Sequence, residues 1–148
     1  MITRDSIVEA ARGWIDTPFS HQGRVKGQSV DCLGLVYGVA IELGIESRIP
    51  SNYVEDPRGR QLLDGCDEHL IAPENPQTMA WGRIGIFWGW SRNEPQHLCI
   101  FGHHHGRLTM IHAFSKREKV VEHSVDDFWK KRFVTCYEYP GTEPLFCN

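Results

Sequence analysis

One cysteine stands where nucleophilic chemistry could begin. Cys32 lies in the run GQSVDCLGLVYG, at the boundary between a polar, glycine-bearing stretch and an apolar segment. A thiol attacks only as the thiolate, and a free cysteine with a pKa of about 8.5 is mostly protonated at neutral pH. The unpaired N–H groups of a helix N-terminus and a neighbouring imidazolium both lower that pKa. The segment therefore predicts a lowered pKa for the Cys32 thiol, provided that a helix begins there and a histidine lies beside it.

Two strand-like segments in the second half of the chain each carry a histidine. Along QHLCIFG and RLTMIHAF, successive side chains alternate between the two faces of a sheet. Pairing residues whose numbers sum to 209 places His97 directly opposite His112 and leaves a six-residue loop, Gly102–Arg107. A sum of 208 would place the two histidines on opposite faces. In the first register His97 would take the Cys32 proton and His112 would hold the useful tautomer of the His97 ring.

Helices that could position the cysteine are predicted in the first third of the chain. Thr3 is a predicted N-cap for a first helix. Apolar residues at helical spacing predict a second helix from Cys32 to Leu43, and Gly44 is a natural stop. Ser29 and Asp31 lie at its start, where short polar side chains satisfy free backbone N–H groups.

The remainder of the chain predicts loops followed by a sheet. The stretch Ile45–Met79 is rich in Pro, Asn, Asp and Gly, which favours long loops with one short helix around Gly59–Asp64. Strand candidates follow in GRIGIFWGW, QHLCIFG, RLTMIHAF, KVVEH and FVTCYEY, and SVDDFWKKR predicts a short helix capped by Ser124. Helices first and an antiparallel sheet afterwards predict an α+β fold, with the helices packed on one face of the sheet. The chain is predicted to form a single domain over residues 1–148.

Composition narrows the classes of partner. The 148 residues carry a formal net charge of −3, which gives no reason to expect direct nucleic-acid binding. No window approaches the about 18 apolar residues of a membrane span, so membrane insertion is not expected. The N-terminus does not resemble a secretory signal, which predicts synthesis in a cytoplasm with reduced thiols. Neither the five widely spaced cysteines nor the run GHHHG, interpreted as a solvated hairpin tip, predicts a metal, and no cofactor is expected.

Three motifs together resemble a known family. DCLGLVYGVAIELG, PQHLCIF and IHAF are similar to the Asp-Cys-x-Gly helix start and the two polar strand positions of the NlpC-type papain-like cell-wall peptidases. TPFSHQG, VVEH and the closing W…R…YP resemble the single-domain branch found in phage tail clusters and gene transfer agents. The resemblance spans about Thr3 to Gly141.

The resemblance implies a papain-like fold and a thiol hydrolase. Cys32 is then the nucleophile, His97 the general base and His112 the orienting third residue. The substrate would be a peptidoglycan stem peptide, cut between γ-D-glutamyl and a diamino acid. The residues placed on the substrate side are Asp31, Phe19, His21 and Gln22.

Two positions depart from the family pattern. Phe19 stands where the family usually has a tyrosine hydroxyl, and Arg83 stands where an acid commonly opens the strand before the histidine. By the same resemblance the protein would join tail-tip or baseplate proteins in a virion or phage-like particle. It would then open the wall locally, in the periplasm or cell wall, during DNA delivery. The alternatives are a structural tail-tip or assembly subunit with little or no activity, and an enzyme that transfers acyl groups to lipid or amine.

Overall fold

A computed structural model describes residues 1–45, 60–89 and 94–145. Its helices are α1 (Arg4–Arg12), α2 (Cys32–Glu42), α3 (Arg60–His69) and α4 (Asp127–Lys130). Its strands are β1 (Arg24–Val25), β2 (Ser29–Val30), β3 (Ile84–Trp88), β4 (Pro95–His104), β5 (Arg107–Phe114), β6 (Lys119–Ser124) and β7 (Phe133–Tyr137). No helix in these ranges is long and apolar enough to cross a bilayer.

The last five strands form one antiparallel sheet in the order β6-β5-β4-β3-β7. One face, which includes Leu98 and Ile111, shares a core with α1, α2 and α3. The opposite face, which includes Phe101 and Met110, packs against Trp129 of α4. The predicted α+β class is confirmed, because the first three helices cover one side of a sheet formed by the later strands.

Both N-terminal helices begin where short polar side chains cap them. The Thr3 hydroxyl accepts a hydrogen bond from Ser6 N at 3.1 Å, and α1 starts at the next residue. Asp31 caps α2 in the same way, because its Oδ1 accepts from Gly34 N at 2.7 Å. After α2, Gly44 has a φ of +73°, a conformation that favours glycine and ends the helix. The predicted start of α2 at Cys32 is confirmed.

The β4–β5 register differs from the predicted one. Ile100 pairs with Ile111, so that paired residue numbers sum to 211 and not to 209. The hairpin closes through two residues, His105 and Gly106, whose φ angles are +50° and +76°. Positive φ at both positions is typical of a tight turn matched to the twist of its strands, so the strands extend into the predicted loop. Since both sums are odd, the predicted shared face of β4 and β5 side chains is retained.

Several smaller elements were predicted incompletely. The predicted short helix near Gly59–Asp64 corresponds to α3, which continues to His69, while residues 46–59 and Trp90 lie outside the described ranges. The β1–β2 ribbon was not predicted. Ser124 ends β6 and does not cap α4. The Asp126 side chain is the cap instead, since it accepts from Trp129 N at 3.1 Å.

Arg83, one of the two departures from the family pattern, is buried in a polar network outside the site. Its Nε lies 2.8 Å from Glu138 Oε2, and the same carboxylate oxygen lies 2.6 Å from Arg4 Nη2. Arg83 also donates to the backbone carbonyls of Asn75 and Thr78. Buried charges are tolerated when they are paired and hydrogen-bonded. Arg83 therefore ties the segment before β3 to the end of the sheet.

Candidate active site

A cavity of about 240 Å³ opens between the N-terminus of α2, the start of β4 and helix α4. It brings together five of the residues predicted from the sequence, Cys32, His97, Asp31, Phe19 and His21. Gln22 and His112 lie outside the lining. The N-terminus of α2 and the start of the central strand β4 thus meet at one cleft.

Cys32 is the first residue of α2 and is partly exposed toward the cavity. Burial of the thiol, together with the negative charge of Asp31, raises the Cys32 pKa to about 12. Backbone N–H groups of Leu98, Leu33 and Cys32 itself oppose this rise in pKa. The expectation of a lowered Cys32 pKa was therefore wrong for the resting protein, since desolvation of the thiolate outweighs the helix N-terminus.

Asp31 fastens the turn that carries the thiol. Its Oδ1 binds Gly34 N, and its Oδ2 accepts from Gln22 N, each at 2.7 Å. Gln22 has a φ of +60°, so the Asp31 carboxylate holds a backbone conformation that glutamine seldom adopts. His21 Nδ1 lies 3.8 Å from the same Oδ2. Asp31 therefore acts first as a local anchor, through two charge-assisted hydrogen bonds.

The glycine of the Asp-Cys-x-Gly motif has a steric cause. A Cβ atom added at Gly34 would lie 2.3 Å from the carbonyl oxygen of Gly23. That carbonyl belongs to the loop which Asp31 holds against the start of α2. Any larger residue at position 34 would displace the loop beside the thiol.

His97 lies on β4 among aromatic rings. Its ring centroid is 5.2 Å from that of Trp129 and 6.1 Å from that of Phe114. Desolvation, with a smaller contribution from the charge of His123, lowers the His97 pKa from 6.5 to about 4. His97 is therefore neutral at pH 7, which is the protonation state that a general base requires.

Three histidines form a continuous chain across the sheet. His97 Nε2 lies 2.6 Å from His112 Nδ1, and His112 Nε2 lies 2.7 Å from His123 Nε2. His123 Nδ1 lies 2.9 Å from the carbonyl oxygen of Ser124. His112 is fully buried between these neighbours, and desolvation followed by the charges of the other two rings lowers its pKa well below 6.5. His112 therefore contacts His97 as predicted, but diagonally across the β4–β5 pair.

The thiol and the His97 ring face the same cavity without a direct bond. No hydrogen bond joins Cys32 to His97 among the residues that the structure describes. Because His97 Nε2 is engaged with His112, Nδ1 is the nitrogen that remains for the thiol. Catalytic hydrogen bonds are often long in unliganded sites and shorten when substrate binds.

Sequence reasoning missed three residues at or beside this site, His123, Trp129 and Arg132. His123 was not predicted, although strand parity could have found it. His112 pairs with Val121, so His123, two residues further along β6, points to the same face. Trp129 and Arg132 both line the cavity, although their run WKKR was interpreted as a solvated surface.

Solved structures show the same architecture. An NlpC/P60 family protein from Bacillus cereus superposes with a TM-score of 0.66 at 17% identity, over 92% of this chain and 40% of that one. The NlpC/p60 domain of the peptidoglycan hydrolase SagA superposes with a TM-score of 0.60 at 21% identity, over 93% of this chain and 99% of that one. An N-acetylmuramoyl-L-alanine amidase from Bacteroides uniformis gives 0.62 at 13% identity, over 92% and 98%.

The chain therefore has a papain-like α+β fold. More specifically, it is the fold of NlpC/P60 domains, as the sequence motifs predicted. No protein-family model matches the sequence, and no curated protein matches it significantly. Because these structures are 13–21% identical to the chain, the likeness concerns the fold. The chain spans about 40% of the length of the Bacillus cereus protein.

Proposed function

We propose that the protein is a cysteine peptidase that hydrolyses the stem peptides of peptidoglycan. Cys32 is the nucleophile, His97 the general base and His112 the residue that orients the His97 ring. The observation that carries this proposal is the cavity shared by Cys32 and His97, with His97 Nε2 bonded to His112 at 2.6 Å. Two of the solved structures with this fold are named as a peptidoglycan hydrolase and an N-acetylmuramoyl-L-alanine amidase, which supports the substrate class.

The resting site holds a neutral thiol and a neutral imidazole, because burial raises the Cys32 pKa and lowers the His97 pKa. As Sγ attacks the scissile carbonyl carbon, its proton moves to His97 Nδ1. The tetrahedral oxyanion is stabilised by the backbone N–H of Cys32 at the helix start. His97 then gives the proton to the leaving amine, and a thioester remains on Cys32. Water then attacks the thioester and gives one proton to His97, and His97 returns this proton to Cys32 Sγ as the C–S bond breaks, so that the acid leaves and the neutral thiol and imidazole are restored.

The lining charges of the cavity suit a substrate that carries both signs. Asp31 and Arg132 both line it. Stem peptides present free amines and free carboxylates close to the amide bonds of the stem. We assign the cleaved bond to the γ-D-glutamyl–diamino acid linkage on the resemblance of the sequence motifs. Phe19, His21 and Gln22 would lie on the substrate side, with the first two in the cavity lining.

The biological setting is proposed from the sequence resemblance. The protein would be one domain, made in the bacterial cytoplasm and incorporated into a phage tail tip, a baseplate or a gene transfer agent. Its partners would be neighbouring tail proteins, and its task would be to open the wall locally during DNA delivery. Co-purification with assembled particles would test this setting.

Release of free amines from purified peptidoglycan tests the activity. The wild-type protein should release amines, and mass spectrometry of the fragments should show cleavage after γ-D-glutamyl. Cys32→Ala should abolish release. Cys66→Ala is the matched control, since Cys66 is also a buried thiol of the same hydrophobic core but does not line the cavity. If wild type released no more amine than Cys32→Ala, the proposal would be wrong and a structural subunit would be the better account.

Acyl transfer to lipid or amine predicts a different product. Such an enzyme would transfer the acyl part of the peptide to the acceptor, so that no new free carboxylate would form. Incorporation of ¹⁸O from water into the released peptide distinguishes the two reactions. A peptidase should incorporate one ¹⁸O atom into the new carboxylate for each bond cleaved. A transferase should incorporate none.

A further inference from the structure

The row of three histidines ends at the backbone carbonyl of Ser124, which can only accept a hydrogen bond. The Ser124 carbonyl oxygen is an acceptor, so the contact at 2.9 Å requires that His123 Nδ1 carry a proton. When His123 is neutral, its Nε2 is then an acceptor. The backbone of β6 therefore determines which nitrogen of His123 is protonated.

The same reasoning determines the tautomers of His112 and His97. His123 Nε2 accepts, so His112 Nε2 donates and His112 Nδ1 accepts. His112 Nδ1 then receives its proton from His97 Nε2. Three neutral rings carry one N–H each, and each of the three contacts needs one of these protons. His97 Nδ1 is left without a proton.

We propose that His123, held by the Ser124 carbonyl, is a positioning residue that sets the tautomer of His97 through His112. This role rests on the proposed function, since it matters for catalysis only if His97 Nδ1 takes the Cys32 proton. His112 alone orients the His97 ring but does not determine the direction of the hydrogen bond between them. A neutral His112 with its proton on Nδ1 would force His97 Nε2 to accept, and His97 Nδ1 would then carry the proton and could not act as base.

The chain also has a limited capacity for protons. One added proton enters at His97 Nδ1 and leaves every contact with a single proton. Shifting the shared protons in step moves the positive charge from His97 to His123, which is partly exposed to water. A second added proton would place two N–H groups against each other in one contact. The three rings thus accept one proton together, which matches the single proton released by Cys32.

The carboxylate adjacent to His123 in the sequence, that of Glu122, does not bind its ring. Its ring lies 4.8 Å from that of His112 and 6.4 Å from that of Trp129, measured between centroids. The adjacent Glu122 is directed elsewhere, since its carboxylate binds Arg12 and the Thr109 hydroxyl. The donor and acceptor roles along the three histidines are therefore determined by the Ser124 carbonyl.

Nitrogen NMR of the histidine side chains tests the inference without any need for activity. Long-range ¹H–¹⁵N correlations at pH 7.5 distinguish a ring protonated on Nε2 from one protonated on Nδ1. The expected result is His97 and His112 protonated on Nε2, and His123 on Nδ1. A His123 ring protonated on Nε2 would overturn the inference, even if the protein proved to be an active peptidase.

Kinetics of variants supply the second measurement. His123→Phe keeps a planar ring but removes both nitrogens. It should shift part of the His97 population to the Nδ1–H tautomer and lower kcat on the order of 10-fold, with little change in KM. His104→Phe, in the exposed part of β4, is the control and should change neither. In His123→Gly, added imidazole should restore part of the lost kcat.

The outcomes separate the two proposals. An unchanged His97 tautomer and unchanged kcat in His123→Phe would show that His123 is only a structural strand residue. If the wild-type protein has no hydrolytic activity, the proposed function fails, and the NMR result alone then decides the protonation pattern. A loss of kcat that imidazole cannot restore, with the wild-type tautomer of His97, would also contradict the inference.

Discussion

Lowering the pH should reduce the free energy of unfolding, because the unfolded chain protonates His97 more readily than the folded protein does. In the folded state desolvation lowers the pKa of this ring to about 4, whereas the same ring in an unfolded chain titrates near 6.5. Between these values the unfolded chain binds a proton that the folded protein does not, so the free energy of unfolding falls as the pH is lowered. The stability is fully present above about pH 6.5 and is lost progressively toward pH 4. At about 1.4 kcal/mol per pH unit, His97 alone contributes a loss of about 3 kcal/mol over this window.

Urea unfolding at half-unit steps from pH 7.5 to 4 measures this loss. His97→Phe removes the titrating ring, so the difference in unfolding free energy between wild type and variant should shrink by about 3 kcal/mol as the pH falls. His104→Phe, which removes an exposed histidine outside the cavity, is the matched control for loss of an imidazole. A difference between wild type and His97→Phe that stays constant across the window would refute the reasoning. It would mean that the folded protein protonates His97 as readily as the unfolded chain does.

Three further predictions concern the helix start and the cavity. Gly34→Ala should lower the free energy of unfolding by about 1–3 kcal/mol, because its Cβ would meet Gly23 O at 2.3 Å; an unchanged urea midpoint would contradict the steric account. Asp31→Asn should lower the pKa of Cys32, because it removes the neighbouring negative charge, and iodoacetamide labelling should then begin at lower pH. A labelling profile that is unchanged or shifted upward would disagree with that cause. Arg132→Ala should raise KM for stem peptides with a free carboxylate and leave kcat nearly unchanged, because Arg132 lines the cavity. Amidation of that carboxylate should remove the difference in KM between wild type and variant. Equal KM values of the two proteins for the free-carboxylate peptide would argue against a contact between Arg132 and the substrate.

Elements with strong local signals were predictable from the sequence. The start of α2 is one, because a single side chain, Asp31, satisfies a free N–H of the first turn and Gly44 marks the end. The five strands of the sheet were found from their period of two. Their ends were less predictable, since the turn at His105 and Gly106 depends on backbone angles that a run of histidines does not suggest.

The charge state of the thiol could not be predicted from neighbours in the chain. A helix N-terminus beside Cys32 favours a lowered pKa, and that local argument is correct in sign. The burial of the sulfur, however, depends on packing of α2 against β4, which brings together residues distant in sequence, such as Cys32 and the backbone of Leu98. Long-range burial therefore reversed a prediction that rested on local structure.

The histidine chain shows why strand parity predicted a contact even though the exact pairing was wrong. His97 and His112 share a face for any odd register sum, so the change from 209 to 211 moved them from opposite to diagonal positions without separating them. The same condition applies a second time between β5 and β6, where paired numbers sum to 233 and bring His123 beside His112. A slip of one residue in either pairing would send a ring to the other face and interrupt the chain. The path from His97 to the Ser124 carbonyl thus requires two independent strand registers of the correct parity, one between β4 and β5 and one between β5 and β6.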